Sequence, residues 1–173
     1  MDYQKEIKNI SSWMRDYCKN AGTSGYVLGL SGGVDSAVVA ALAKKAVGKD
    51  KVLTLIMPCS SNPKDEEDAK LVASKLGISY LTLRLENILN EFKKCYMTNI
   101  SKLQEGNIKA RLRMTMLYAN AQCHNFLVAG TGNKSEIMCG YFSKFGDGGV
   151  DIEPIGQYYK TEIFQLAKSL DVI

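Results

Sequence analysis

Residues 25–43 read Gly-Tyr-Val-Leu-Gly-Leu-Ser-Gly-Gly-Val-Asp-Ser-Ala-Val-Val-Ala-Ala-Leu-Ala, and this stretch decides the fold. Its first part, 25–30, is a short apolar run that predicts a buried strand, and 37–43 predicts a helix. The small residues between them lie at a helix N-terminus, where backbone N–H groups and the helix dipole favour an anion. The stretch therefore predicts a phosphate-binding loop.

The side chains of this loop indicate which ligands it can bind and which nucleotide motifs it does not match. Ser31 and Ser36 offer hydroxyl donors, and Asp35 can hold a metal ion against phosphates. No Lys follows the glycines as in a Walker A loop, and the glycine spacing does not fit the dinucleotide fingerprint. A plain glycine-rich turn would account for the glycines but not for two serines and an aspartate around them.

Along the rest of the chain, segments that predict strands alternate with segments that predict helices. Further strands are predicted over 51–57, 79–83 and 126–129, and helices over 2–20, 63–76, 87–96, 104–123, 133–140 and 160–170. A mobile loop is expected over 59–64, and irregular structure over 141–158. The alternation predicts an α/β fold, a doubly wound and mostly parallel sheet with helices on both faces. Ligands of such sheets bind beyond the carboxyl ends of the strands.

Composition sets broad limits on the class of protein. The 173 residues are 46% hydrophobic and 23% charged, which is typical of one soluble globular domain. A net charge of +4 is weak support for a nucleic-acid partner. Five cysteines without a Cys-x-x-Cys pair indicate reduced thiols in a cytoplasmic protein. With no apolar run of membrane-spanning length, we expect no membrane partner.

A second polar turn, 131–136, follows the strand predicted at 126–129. It reads Thr-Gly-Asn-Lys-Ser-Glu, with a hydroxyl at Thr131 and a hard oxygen ligand at Glu136. Alone, the pattern is at least as typical of a capped helix start. If Asp35 and Glu136 face one cavity, however, the pair suits Mg²⁺, which is usually held by one or two carboxylates with phosphates and water.

Several motifs, taken in their order along the chain, resemble those of a known family. They are the segments 30–36, 106–114, 130–136 and 140–147, followed by Asp151, by 154–156 and by 160–162. Together they resemble the ammonia-dependent NAD synthetases, a family of the ATP pyrophosphatase superfamily with a pyrophosphate-type loop. The likeness covers nearly the whole chain. It implies the adenine nucleotide alpha hydrolase-like fold and a ligase that forms a C–N bond.

The resemblance implies a reaction in which ATP and ammonia convert deamido-NAD to NAD⁺ through an adenylated carboxylate, releasing AMP and pyrophosphate. It also implies Mg²⁺ and a homodimer, with ammonia either free or supplied by a separate protein. The residues it assigns to ATP are Gly29, Leu30, Ser31, Gly32, Gly33, Val34, Asp35, Ser36, Thr131 and Lys160. It assigns Arg111, Lys144 and Asp151 to deamido-NAD, and Asp35 and Glu136 to the metal.

Some interpretations stay open at this level. The chain is expected to be one domain over 1–173 that lacks the C-terminal segment of the family. It could instead be another pyrophosphate-loop adenylating enzyme, or a truncated, non-catalytic adenine-nucleotide binding module. No catalytic base is evident, and the one histidine, His124, is expected to be structural. Two sets of residues have more than one interpretation. Arg111, Lys144 and Asp151 could be solvated charges, and the stripe Ile108, Leu112, Met116 and Ala119 could be a dimer interface or core.

Overall fold

The fold is built on one parallel sheet. A computed structural model describes residues 1–95 and 99–172. Within them four strands pair in the order β3-β2-β1-β4, all parallel. The strands are β1 Gly25–Gly29, β2 Val52–Ile56, β3 Ser79–Thr82 and β4 Phe126–Val128.

Helices connect the strands and cover both faces of the sheet. They are α1 Tyr3–Asn20, α2 Val34–Val47, α3 Pro63–Leu76, α4 Glu86–Lys94, α5 Lys102–His124, α6 Lys134–Cys139 and α7 Lys160–Leu170, with a 3₁₀ turn at Lys49–Lys51. The prediction of a doubly wound α/β fold is confirmed. The end predicted for the fourth helix, at 96, lies outside the described residues.

Alternation of side chains along the strands creates two cores. Tyr26 and Leu28 of β1 point into a cluster under α1, α2, α3 and α7, whereas Val27 points into a cluster under α4 and α5. The same alternation places Ile56 of β2 in the first cluster and Leu55 in the second. Because successive strand residues face opposite sides, an apolar run of five residues serves both cores.

The apolar stripe of α5 contributes mainly to the second core. Ile108 is buried, and Leu112 and Met116 pack against the same cluster, while Ala119 is exposed. Of the two interpretations of the stripe, its first three residues therefore belong to the interior of the chain.

Among the described residues, none of the helices combines the length and apolarity that crossing a bilayer requires.

Strand pairing brings the two polar turns together. β1 and β4 are neighbours, with Val27 opposite Val128, so the loops that follow them leave the sheet side by side. The end of β4 is extended by a parallel bridge between Ala129 and Ile152, and the Gly130 N–H donates to the Ile152 carbonyl at 2.8 Å. The segment after 150 is thereby held against the second turn.

Candidate active site

The phosphate loop between β1 and α2 is shaped by its own serines. The Ser36 hydroxyl donates to the Gly33 carbonyl at 2.9 Å and accepts from the Ser31 N–H at 3.2 Å. The Ser31 hydroxyl accepts from the Gly33 N–H at 3.2 Å. Gly32 has a φ of +84°, and a Cβ there would lie 2.6 Å from the Asp65 carbonyl oxygen of α3. A side chain at this position would therefore both strain the backbone and push α3 away.

The second turn is joined to the first by a buried asparagine. Asn133 and Glu136 form a capping box at the start of α6, each side chain accepting from the other's N–H at 3.1 Å. The Asn133 amide also donates to the Asp35 carboxylate at 3.1 Å, and its side chain is fully buried. Sequence reasoning gave Asn133 no role, although its spacing to Glu136 signals a capping box. Its contact with Asp35 has no local signal.

Lys160 completes this cluster from α7. Its ammonium forms an ion pair with the second oxygen of Asp35, and its backbone N–H donates to the Ser135 hydroxyl at 3.1 Å. A cation in the first turn of a helix opposes the helix dipole. Here the carboxylate of Asp35 offsets that cost and holds the ammonium beside the phosphate loop.

Two adjoining cavities open at this edge of the sheet. The apolar cavity, about 380 Å³, is walled largely by aliphatic side chains such as Met57, Met114 and Leu117. The acidic cavity, about 360 Å³, is lined by four carboxylates, those of Asp35, Glu136, Asp147 and Glu153. Three residues line both cavities, so the two cavities together form one site. These residues are Ser31, Thr131 and Asp147.

Asp35 and Glu136 thus line one cavity, which the metal hypothesis requires of them. Among the described residues there is no group of three or more His, Cys, Asp or Glu side chains arranged to hold a metal ion by themselves. A pair of hard oxygen donors beside a phosphate loop fits Mg²⁺, which takes its remaining ligands from phosphate and water. The donor set would suit a zinc site poorly.

The predicted ATP residues lie around this junction. Gly29 and Leu30 line the apolar cavity, and Ser36 lines the acidic one. Gly32, Gly33 and Val34 form the turn into α2 between them. Six of the predicted residues thus line the two cavities, whereas neither cavity, as described, is lined by Gly32, Gly33, Val34 or Lys160. The individual contacts with ATP stay predictions.

The three residues predicted to bind deamido-NAD lie elsewhere. Arg111 Nε donates to the Lys144 carbonyl at 3.2 Å, so these two are brought together on the surface. Asp151 accepts from the Tyr118 hydroxyl at 3.0 Å and from the Val128 N–H at 2.7 Å. In the part of the chain that the structure describes, neither cavity is lined by Arg111, Lys144 or Asp151. Their substrate roles remain predictions.

Arg113 lines the apolar cavity, although sequence reasoning named only its neighbour Arg111. Its Nε donates to the Met57 carbonyl at 3.1 Å and its Nη2 to the Ser61 hydroxyl at 3.4 Å. Residues two apart on a helix face different directions. Only the packing of α5 against the sheet shows which arginine turns toward the cavity.

Glu153 is the second residue that sequence reasoning missed. The pKa of its carboxyl is raised to about 7, chiefly by burial. The nearby charges of Asp147 and Glu136 also raise the pKa, and the hydrogen bond from the Gly132 N–H lowers it. That hydrogen bond is 3.0 Å long. Glu153 lies beside quoted motif residues, but nothing in its local sequence indicates that it is buried in a site.

Fold and site together define a nucleotide-binding α/β protein with the adenine nucleotide alpha hydrolase-like fold. The model of one family, NAD synthase, matches residues 6–173. The chain belongs to the NAD synthase family, and the resemblance stated from its motifs is confirmed.

Curated relatives agree in name. An NH(3)-dependent NAD(+) synthetase from Carboxydothermus hydrogenoformans is 46% identical over 174 residues, covering 98% of this chain and 71% of that protein. One from Archaeoglobus fulgidus is 48% identical, covering 99% of this chain and 70% of that protein.

Solved structures agree in fold. An NH3-dependent NAD synthetase from Campylobacter jejuni, in complex with the nitrate ion, superposes with a TM-score of 0.95 at 41% identity, covering 99% of this chain and 75% of that one. An NMN synthetase from Francisella tularensis superposes with a TM-score of 0.96 at 38% identity, covering 100% of this chain and 72% of that one.

Proposed function

We propose that this chain catalyses the ATP-dependent amidation of deamido-NAD by ammonia, forming NAD⁺, AMP and pyrophosphate. One observation carries the proposal: the phosphate loop and the second turn meet on a single cavity, where Asp35 and Glu136 face the same space and Asn133 joins them. Membership of the NAD synthase family and the names of the relatives support the same reaction.

The two cavities suit the two halves of ATP. The flat aromatic faces of the adenine base suit the largely aliphatic walls of the apolar cavity, and a volume of about 380 Å³ is within the range of ligand pockets. The triphosphate then runs past Ser31 and Thr131, which line both cavities, toward the acidic cavity. This orientation brings the α-phosphate to the junction.

The acidic cavity needs a cation before it can accept a polyanion. Asp35 and Glu136 are the residues that would hold Mg²⁺ there, and Mg²⁺ would neutralise the charge that develops on the departing pyrophosphate. The Lys160 ammonium, already at Asp35, adds a fixed positive charge beside the phosphate loop.

The reaction then requires two displacements. The nicotinate carboxylate of deamido-NAD attacks the α-phosphorus, the bond to the pyrophosphate oxygen breaks, and an acyl adenylate forms. Ammonia attacks the acyl carbon, loses a proton, and AMP leaves with the electron pair of the C–O bond. The chain's own residues bind and orient: loop N–H groups and Lys160 stabilise phosphate charge, and Arg111, Lys144 and Asp151 position deamido-NAD. No protein nucleophile takes part.

We also propose, from the family resemblance, a cytoplasmic homodimer without a membrane or nucleic-acid partner. Sedimentation analysis of the purified chain tests the dimer, and cell fractionation tests the compartment.

The deciding experiment is an assay with ATP, Mg²⁺, deamido-NAD and ammonium, with each component omitted in turn. We expect NAD⁺ and AMP in equal amounts, with no product when any component is missing. Binding of ATP without release of pyrophosphate would instead identify a nucleotide-binding module and refute the proposal.

A second acceptor is worth including because of the similarity to the NMN synthetase. The same chemistry with nicotinate mononucleotide would give NMN. Both acceptors have the nicotinate carboxylate, so the ratio of their kcat/KM values decides between them. We expect deamido-NAD to be preferred, and a ratio below one would reverse the assignment.

A further inference from the structure

Glu153 occupies the space that two glycines of the second turn leave open. An ideal Cβ at Gly130 would lie 2.5 Å from the Glu153 carboxyl carbon, and one at Gly132 would lie 3.1 Å from a carboxylate oxygen. The same carboxylate accepts a hydrogen bond from the Gly132 N–H at 3.0 Å. The side chain therefore packs directly against the turn and also satisfies its backbone.

The backbone before Glu153 is anchored to the end of β4. Ile152 bridges Ala129, its carbonyl accepts from the Gly130 N–H at 2.8 Å, and the Asp151 N–H donates to the Val128 carbonyl at 3.0 Å. After Glu153, its carbonyl accepts from the Gly156 N–H at 3.2 Å. These bonds fix the backbone of residue 153 relative to the sheet, and the hydrogen bond from the Gly132 N–H orients its carboxylate.

Thr131 lies between the two glycines that Glu153 contacts. It lines both the apolar and the acidic cavity, so its position depends on the shape of the turn. We infer that Glu153 is a positioning residue of the ATP site: its carboxylate supports the turn from Gly130 to Gly132 and thereby holds Thr131 at the junction of the cavities. This inference rests on the proposed function, because ATP is the ligand at that junction.

A pair of substitutions distinguishes support of the turn by a hydrogen-bond acceptor from an effect of the negative charge of Glu153. Glu153→Gln keeps an oxygen acceptor for the Gly132 N–H, whereas Glu153→Leu removes the acceptor at similar side-chain size. We expect the glutamine variant to stay within about twofold of the wild-type affinity for ATP. The leucine variant should lose roughly tenfold, the size of effect expected when a partly buried donor loses its hydrogen-bond acceptor. The KM for deamido-NAD should change in neither variant.

The measurements are the Kd of ATP with Mg²⁺ by titration calorimetry, and KM and kcat with each substrate. Glu91→Leu, on the exposed surface of α4, is the matched control for replacing a glutamate by leucine. It should leave both KM values unchanged. A merely structural role for Glu153 would lower the melting temperature of Glu153→Leu without a selective change in ATP affinity, and that result would overturn the inference.

A double-mutant cycle gives a second route that does not depend on the leucine variant folding. Gly130→Ala places a methyl group where the carboxylate lies, so it should displace Glu153 and weaken ATP binding in the same way. If both changes act on one contact, Gly130→Ala combined with Glu153→Ala should bind ATP no more than about twofold more weakly than the worse single variant. Effects that simply multiply would contradict the inference.

The outcomes also separate this inference from the proposed function. A wild-type chain that makes no NAD⁺ refutes the reaction, while the calorimetric series still decides the role of Glu153. A wild-type chain that makes NAD⁺, together with unchanged ATP affinity in Glu153→Leu and Gly130→Ala, leaves the reaction standing and overturns the role of Glu153.

Discussion

The raised pKa of Glu153 predicts that replacing it by glutamine stabilises the protein at alkaline pH. The pKa rises from 4.5 to about 7 on folding. The folded state therefore binds more protons than the unfolded chain between these values, and stability falls as pH rises through this window. The stability contributed by the protonated Glu153 carboxyl is fully present below pH 4.5 and is lost above about pH 7.

The size of the effect follows from the shift. About 2.5 pH units at 1.36 kcal/mol per unit give about 3 kcal/mol as an upper bound, and partial exposure of Glu153 to solvent reduces it to about 1–2 kcal/mol. Glu153→Gln is neutral at every pH and keeps the acceptor for the Gly132 N–H. The variant should therefore match the wild type near pH 4.5 and exceed its free energy of unfolding by about 1–2 kcal/mol at pH 8.

Urea denaturation of both proteins without ligand, at intervals from pH 4.5 to 8, measures this difference. Titration of all other groups largely cancels between wild type and variant, so the change of the difference with pH reports Glu153. Glu91→Gln, which removes a carboxylate from a 71% exposed side chain, is the control and should show a nearly flat difference. A flat difference for Glu153→Gln, or a wild type that is the more stable at pH 8, would refute the reasoning.

Four other substitutions test the site. Asp35→Asn should lower pyrophosphate release at least about 100-fold with an unchanged circular dichroism spectrum, because it removes a charged ligand from the proposed metal site and weakens the pairing with Lys160. Wild-type activity would remove Asp35 from the site. Asn133→Ala should lower the free energy of unfolding by about 1–3 kcal/mol in urea titrations, since it removes the acceptor of the Glu136 N–H and the donor to one oxygen of Asp35, both partly buried. A loss below about 0.5 kcal/mol would contradict the bridging role. Arg113→Ala should raise the KM for ATP more than that for deamido-NAD, and Lys144→Ala should do the opposite; the reverse ranking in steady-state kinetics would exchange the two assignments.

Local patterns in the sequence predicted the strands and helices and indicated the family. The apolar run at Gly25, the small residues after it and the helical run from Ala37 depend on neighbours in the chain, and the structure forms β1, the loop and α2 from them. Gly77 ends α3 with a φ of +63°, the left-handed conformation that favours glycine at a helix C-terminus. The order of the motifs is enough to indicate the family, and the family model confirms it.

Residues whose roles depend on packing could not be found in this way. Arg113 is distinguished from Arg111 only by the face that α5 turns to the sheet. Both arginines flank Leu112 of the apolar stripe, so the stripe does not show which of them turns toward the cavity. Glu153 is brought to the second turn by a single bridge between Ala129 and Ile152, which is too short to produce a strand pattern. Its neighbours in the site come from other parts of the chain.

The sequence by itself determined that a phosphate loop and a second capped turn exist, because each is specified by residues within a few positions of one another. Tertiary structure alone decided that they share a cavity. That sharing depends on β1 and β4 being adjacent although about 100 residues separate them, and on the buried Asn133 reaching from one turn to Asp35 in the other. A hydrogen bond between groups so far apart in the chain leaves no periodicity in the sequence, and it forms only after the sheet has placed both ends.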